Sequence, residues 1–450
     1  MAVTVIGAGL AGCEAAFAAA QRGQDVDLWE MKPQRYTPAH HSPLFAELVC
    51  SNSLKAQRLE SAAGLLKEEM ARLGSLCVPI ARRTSVPAGG ALAVDRDRFS
   101  AAVTEQIRSH PRIRVHEGEA TQIPADGVTV IATGPLTSDA MAEQIRMLCG
   151  GGLSFYDAAA PIVTADSVDM GSAFRASRYG REESGDGDYI NCPLDKAEYE
   201  AFVSALTEAE RALLHEFDTP HDITVYEGCM PIEVLAARGA DAIRFGPMKP
   251  VGLRDPRTGH RPWAVVQLRT ENGAGTLYNL VGFQTNLKFA EQKRVFGMIP
   301  ALKNAEFVRY GVMHRNTFID APRLLDAGYR LRQQPRLLFA GQMTGVEGYM
   351  ESAGSGLLAG INAVRQAQGR PPFIPPRDTM LGALCAHVSD ENVHYQPMGA
   401  NFGILPPIEP KIRDKKLRYA ALAERALQSL AAAAAAAGEP MTTADGKEGQ

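Results

Sequence analysis

Apolar and polar positions at the start of the chain change period within thirty residues. Val3-Thr4-Val5-Ile6 is a short β-rich run, and the glycine cluster GAGLAG at 7–12 ends it. Residues 13–22, CEAAFAAAQR, are strong helix formers that Gly23 stops. Val26-Asp27-Leu28-Trp29 then predicts a second strand ending at Glu30. Within 62–73, Leu65, Leu66, Met70 and Leu73 recur at helical spacing, and VTVIATG at 128–134 predicts another strand. From about residue 150 the pattern shifts to aromatics, prolines and isolated charges, with strand-like pieces at 263–269 and 277–283. The α/β pattern returns at 337–365 as strand, glycine turn and small-residue helix. The alanine run 431–437 could extend a helix, but its polar, glycine-containing sequel has the composition of a disordered tail.

This pattern predicts an α/β fold: a Rossmann-like domain split in sequence, with an inserted α+β domain. The boundaries are 1–150 for the first part, 151–330 for the insertion, 331–430 for the last part, and 431–450 for a disordered tail. Gly7, Gly9 and Gly12 carry the chemistry of the first part. They follow a strand and open a helix at GxGxxG spacing, with Ala8, Leu10 and Ala11 between them. One glycine allows the tight turn, the next lets backbone approach a pyrophosphate, and the third lets helix and strand pack closely. The helix N-terminus offers free amides to the phosphates. Glu30 stands where a carboxylate can bind ribose hydroxyls. Thr133 and Gly134 at a strand end flank the same crevice. Gly341, Gln342 and Gly345 precede a second small-residue helix, and this pair of features favours FAD over an exchanging nicotinamide. A glycine turn serving packing alone is the competing reading.

Composition narrows the class. The 450 residues are 45% hydrophobic and 22% charged, enough for two domains or one with an insertion. No apolar run approaches the ~20 residues that cross a bilayer. The start lacks the basic region of a signal peptide, so a cytoplasmic protein without membrane partners is expected. Seven cysteines without a CxxC pair point away from a disulfide framework and from a metal site. A net charge of −4 neither suggests nor excludes nucleic acid; a local basic face would have to meet it.

Two cysteines stand out. Cys50, in LVCSNSLKA, lies between an apolar run and a polar loop, and Cys229, in YEGCMPIE, lies between Gly228 and Pro231. Cys192 has a weaker look of the same kind. Cys13 reads as packing, and Cys77, Cys149 and Cys385 as buried structure. The segment 310–322 concentrates Tyr310, His314, Arg315, Asn316 and Asp320, which suits either a flat polar substrate or a structural network. Lys249, with Arg254 and Arg257, lies on a Pro/Gly-rich stretch that also reads as a solvated loop. The basic run 411–418 reads first as a solvated helix face.

Taken together, VIGAGLAGCEAA, FAELVCSNSLKA, VPAGGALAVDRDRFS, LVGFQTNLKFAEQKRVF, RYGVMHRNTFIDAP and GVEGYMES resemble one family. It is the folate- and FAD-dependent tRNA (uracil-5-)-methyltransferases, TrmFO, smaller relatives of the GidA/MnmG flavoproteins. The matching segments span roughly residues 1–410. The resemblance implies methylation at C5 of the tRNA T-loop uridine, position 54. The carbon would come from 5,10-methylenetetrahydrofolate, with FAD carrying reducing equivalents from NADPH or NADH. It also implies that Cys229 is the nucleophile and Cys50 a flavin-side cysteine whose polar sequel lines the flavin crevice. Arg315 and His314 become substrate candidates, and Lys249, Lys288, Arg315 and the 411–418 run candidate phosphate contacts. The alternative is a small-molecule FAD-dependent oxidoreductase with no RNA partner. No motif gives the oligomeric state.

Overall fold

The computed structural model describes residues 2–37, 39–150, 153–158, 160–180, 187–212, 230–311, 313–390 and 397–442, with the backbone alone at 153–158 and 313–317. Strand β1 (Val3–Ile6), helix α1 (Leu10–Gln21) and strand β2 (Val26–Glu30) follow the predicted order. The helix starts three residues earlier than composition suggests. Gly9 is its extended N-cap, and its carbonyl accepts from the Cys13 amide at 2.9 Å.

β1 is central in a six-stranded sheet ordered Arg330–Leu331, Gln334–Phe339, Thr129–Ile131, β1, β2, Ile113–Glu117. All neighbours are parallel except the 330–339 hairpin. Strands from the two ends of the chain thus share one sheet, and the Rossmann-like unit is split in sequence. A second, antiparallel sheet runs Phe174–Arg175, Tyr189–Leu194, Ala264–Thr270, Leu277–Leu280, Ile162–Thr164, Phe307–Arg309. It buries its own core, including Cys192, Phe202, Phe283 and Phe296. A two-stranded ribbon, Leu153–Ala158 with Met313–Phe318, lies where the chain leaves and re-enters the first sheet.

The contact that closes the split unit is made of backbone. The long helix Tyr349–Ala367 lies against α1, and at the crossing Gly356 and Gly360 face Ala11 and Ala15. A Cβ on Gly356 would sit 2.1 Å from the Ala11 carbonyl oxygen, and one on Gly360 2.4 Å from that of Ala15. Glycines four residues apart share one helix face, so the two helices approach more closely than any side chain permits.

The expected disorder over 431–450 is corrected up to residue 442. Lys415–Ala437 is one helix, ended by Gly438 in the left-handed conformation at φ 64°. Glu439, with a side chain 3% exposed, then pairs with Arg22 at 2.9 Å and Arg365 at 2.5 Å. The Thr442 amide donates to the Arg72 carbonyl at 2.9 Å. Two nearly buried guanidiniums need a counter-charge, and composition of the tail alone does not reveal that need. Residues 443–450 lie outside the described residues.

Helix α2 (Ala62–Arg72) carries two buried ionisable groups. Burial pushes the Lys67 ammonium down to about 8. Burial pushes the Glu69 carboxyl up to about 8, against hydrogen bonds from the Met380 and Leu381 amides, each 2.8 Å.

This packing can be tested in two ways. Gly356→Ala forces the helices apart and lowers stability by at least about 1–3 kcal/mol, read as a lower denaturant midpoint; an unchanged midpoint contradicts the backbone contact. The other test is pH. Glu69 has a raised folded value, so its stabilising contribution is complete below its ordinary value of 4.5 and is lost as pH rises through about 8. Lys67 has a lowered one, so its contribution is complete above 10.5 and is lost as pH falls through about 8. Together they create a dip in stability near pH 8, with slopes of at most about 1.4 kcal/mol per pH unit. Urea denaturation of a Glu69→Gln/Lys67→Met double variant should lose that dip.

Candidate functional site

A cleft opens at the C-terminal ends of β1, β2 and Thr129–Ile131. Gly7, Ala8, Gly9, Leu10, Ala11, Glu30, Thr133, Gly134, Gly341 and Gln342 all line it. Gly7 turns at φ +99°, where an added Cβ would lie 2.5 Å from the Ala132 carbonyl oxygen. At Gly9 an added Cβ would meet no protein atom within 4 Å, which leaves the loop open to a ligand. Gly12 is not part of the wall: its Cβ would lie 1.7 Å from the Gly7 carbonyl oxygen, so it keeps helix and turn in contact. Gly345 is also outside the wall. It is a left-handed turn residue, and its carbonyl accepts from the Met398 amide at 2.9 Å. The buried Glu30 carboxylate accepts from the Ala8 amide at 2.7 Å and the Lys32 amide at 3.0 Å. The turn, the open helix N-terminus and the strand-end acid fit a dinucleotide: phosphates at the amides, ribose hydroxyls at Glu30.

Val49 and Tyr349 line the same cleft; Cys50, next in the chain after Val49, is not among its wall residues. The Tyr349 hydroxyl accepts from the Cys50 amide at 2.7 Å and the Ser51 amide at 3.2 Å. Ser51 and Asn52, however, do not line the cleft, which corrects the expected role of the polar loop. Buried Asn52 donates to the carbonyls of Val94 at 3.0 Å and Thr270 at 2.8 Å. Arg269 donates to Asn52 Oδ1 and Ser51 Oγ, both at 2.7 Å. Arg96 donates to the Leu48 carbonyl and, at 3.2 Å, to that of Cys50, while pairing with Glu271. The polar loop is therefore a joint between the antiparallel sheet and a small three-stranded sheet of the N-terminal part, Ser53–Ala56, Ala91–Val94 and Ser85–Val86. Arg96, Arg269 and Arg309 all lie within electrostatic reach of the Cys50 sulfur. Such half-buried, cation-rich surroundings are those in which a thiol becomes reactive.

Cys229 lies outside the described residues, but its downstream anchor does not. The Ile232 amide donates to the Gln284 carbonyl at 2.7 Å. The fully buried Glu233 accepts from Thr285 Oγ1 and the Asn286 amide, each at 2.8 Å, and burial raises its carboxyl above the ordinary value. His314 and Arg315 pair through their backbones with Asp157 and Tyr156 in the ribbon. Lys249 is exposed beyond helix Ala242–Phe245. Lys288 is exposed at the start of helix Phe289–Phe296, where its ammonium pairs with Glu210 at 2.6 Å. The structure does not bring either lysine to the cleft wall. Sequence spacing does not single out Tyr349, Arg96, Arg269 or Arg309. Among them only Tyr349, in the GVEGYMES segment, stands next to a recognisable glycine signal.

Comparison with known proteins agrees with this geometry. Residues 2–371 match the family model described as glucose inhibited division protein A. Two named relatives are called methylenetetrahydrofolate--tRNA-(uracil-5-)-methyltransferase TrmFO. The one from Geobacter sulfurreducens is 59% identical over 95% of this chain and 98% of its own. The one from Symbiobacterium thermophilum is 60% identical over 96% of each. A solved structure of Aquifex aeolicus GidA matches in fold with a TM-score of 0.69 at 16% identity, covering 95% of this chain and 73% of that one.

The Tyr349 hydroxyl gives a direct test. Tyr349→Phe leaves two amides without their acceptor, which costs about 1–3 kcal/mol where they are shielded from water. Iodoacetamide labelling resolved by peptide should show Cys50 reacting faster in the variant. Equal rates would mean that the hydroxyl does not hold the Cys50 amide.

Proposed function

The chain belongs to the glucose inhibited division protein A family, and on that premise we infer that it is a methylenetetrahydrofolate–tRNA-(uracil-5-)-methyltransferase. The observation that carries the reading is the glycine-turn cleft itself, whose wall residue Tyr349 holds the Cys50 amide beside arginines that reach the second sheet. FAD is the dinucleotide that this cleft would hold, at Gly7–Ala11, Glu30, Thr133–Gly134 and Gly341–Gln342. When bound, it would supply the reducing equivalents that turn a transferred methylene into a methyl, drawn in turn from NADPH or NADH.

The substrate atom is C5 of the T-loop uridine at position 54, a poor nucleophile on its own. The Cys229 thiolate adds to C6, and the electron pair pushed onto C5 and O4 attacks the methylene carbon of 5,10-methylenetetrahydrofolate. A base then takes the C5 proton, the folate nitrogen leaves the methylene with the electron pair of its C–N bond, and a hydride added to the resulting exocyclic methylene completes the methyl as the C6–sulfur bond breaks to return the thiolate. Cys50 is proposed to act as that base or to guard the cofactor. Arg315 and His314 are the candidate donors to the uracil oxygens, which would stabilise the enolate charge. The uridine must leave the folded loop before sulfur can reach C6, so the protein has to bind an extruded base. Lys249 and Lys288, both exposed, are proposed as phosphate contacts of the inserted region 151–330.

Unmodified tRNA, labelled methylenetetrahydrofolate and NADPH are the decisive mixture. Label is expected in 5-methyluridine at position 54. Cys229→Ala and Cys50→Ala should each cut transfer by on the order of 100-fold or more while the protein still purifies with FAD. NADPH oxidation without any labelled nucleoside would instead mark a small-molecule oxidoreductase.

A further inference from the structure

A column of aromatic rings beside the cleft has no part in the chemistry above. Phe289 stacks on Tyr310 with centroids 4.7 Å apart and planes 16° from parallel. Tyr310 stacks on Phe307 at 5.3 Å and 9°. Phe307 leans on Phe296 at 6.5 Å, and Phe296 is fully buried in the core of the second sheet. The column is therefore rigid at its inner end. Its outer ring, Phe289, is 54% exposed, on the first turn of the same helix that supplies the buried Phe296.

The surroundings of Cys50 and the described residues Ile232 and Glu233 both connect to this column. Arg309, next to Tyr310, reaches across to donate to the Ala39 carbonyl at 3.3 Å, and it lies within electrostatic reach of Cys50 and Tyr349. It makes no ion pair with a carboxylate among the described residues. On the other side, Gln284, Thr285 and Asn286 hold the chain emerging from Cys229, only a few residues before Phe289. Lys288 and Lys293 are exposed beside the outer ring. An exposed aromatic face on a stiff column, flanked by cations, suits a nucleobase between two phosphates. A buried packing role would not leave the face open.

We propose that Phe289 is a stacking platform for an unpaired base of the tRNA loop that flanks the target uridine. This rests on the tRNA reading above, and the test separates the two. If wild-type protein does not methylate tRNA, that reading fails first. If it does, Phe289→Leu, which keeps apolar bulk but removes the ring, should weaken tRNA binding about 5- to 150-fold, the range for loss of one base–aromatic stack. FAD content and NADPH-driven flavin reduction should stay at wild-type levels, and Phe289→Trp should restore the affinity. Wild-type affinity in the leucine variant overturns the proposal. A second readout covers a leucine variant that misfolds: 2-aminopurine placed in turn at the loop positions flanking the uridine should be quenched at one of them on binding to wild-type or Phe289→Trp protein. Quenching at none of them overturns the proposal equally.

Discussion

Two glycines set the distance between two helices, and the candidate site depends on that distance. Gly356 and Gly360 bring the helix Tyr349–Ala367 into backbone contact with α1 at Ala11 and Ala15. α1 presents the glycine turn and the phosphate-facing amides, while the other helix begins with Tyr349, whose hydroxyl holds the amides of Cys50 and Ser51. Gly341 lies just before that helix, where an added Cβ would be 3.2 Å from the Ala11 side chain. The close approach thus fixes three walls of one cleft at once. Close-packed interiors transmit such a constraint because they offer no slack.

The polar stretch after Cys50 is explained by assembly of the antiparallel sheet with the small three-stranded one. Asn52 is fully buried and satisfies its side chain on Val94, Thr270 and Arg269. A buried amide with all its partners is directional, as an apolar contact is not, so it specifies one docking geometry. The same arginines that make the joint bring positive charge to the thiol. The joint and the electrostatic surroundings of Cys50 are therefore set by the same residues.

What can be read from sequence is local. β1, the glycine turn, α1, β2 and Glu30 announce themselves within thirty residues, because each requirement is met by neighbours along the chain. The surroundings of Cys50 cannot be read this way. Arg96 is 46 residues away, Arg269 acts across 218 and Tyr349 across 299. Spacing says nothing about such pairs until the sheets are assembled. The same blindness makes 431–442 read as disordered. Composition registers Glu439 as a polar tail residue, but Arg22 and Arg365, which bury it, belong to other helices. Gly12 shows the reverse: its motif is legible, and its packing role follows from the 1.7 Å that an added Cβ would leave.

The split sheet has a consequence for synthesis. β1 and its neighbour Thr129–Ile131 leave the ribosome with one edge bare, because their partner strand Gln334–Phe339 comes some two hundred residues later. At ~5–20 residues per second, that interval is roughly ten to forty seconds. The antiparallel sheet between them has its own core and is complete first. The nascent chain thus carries an exposed parallel edge while a finished neighbour hangs beside it, and the last helix to emerge also supplies Glu439 to neutralise Arg22. Translation speed through the middle of the message therefore sets how long that unpaired edge stays open to other chains.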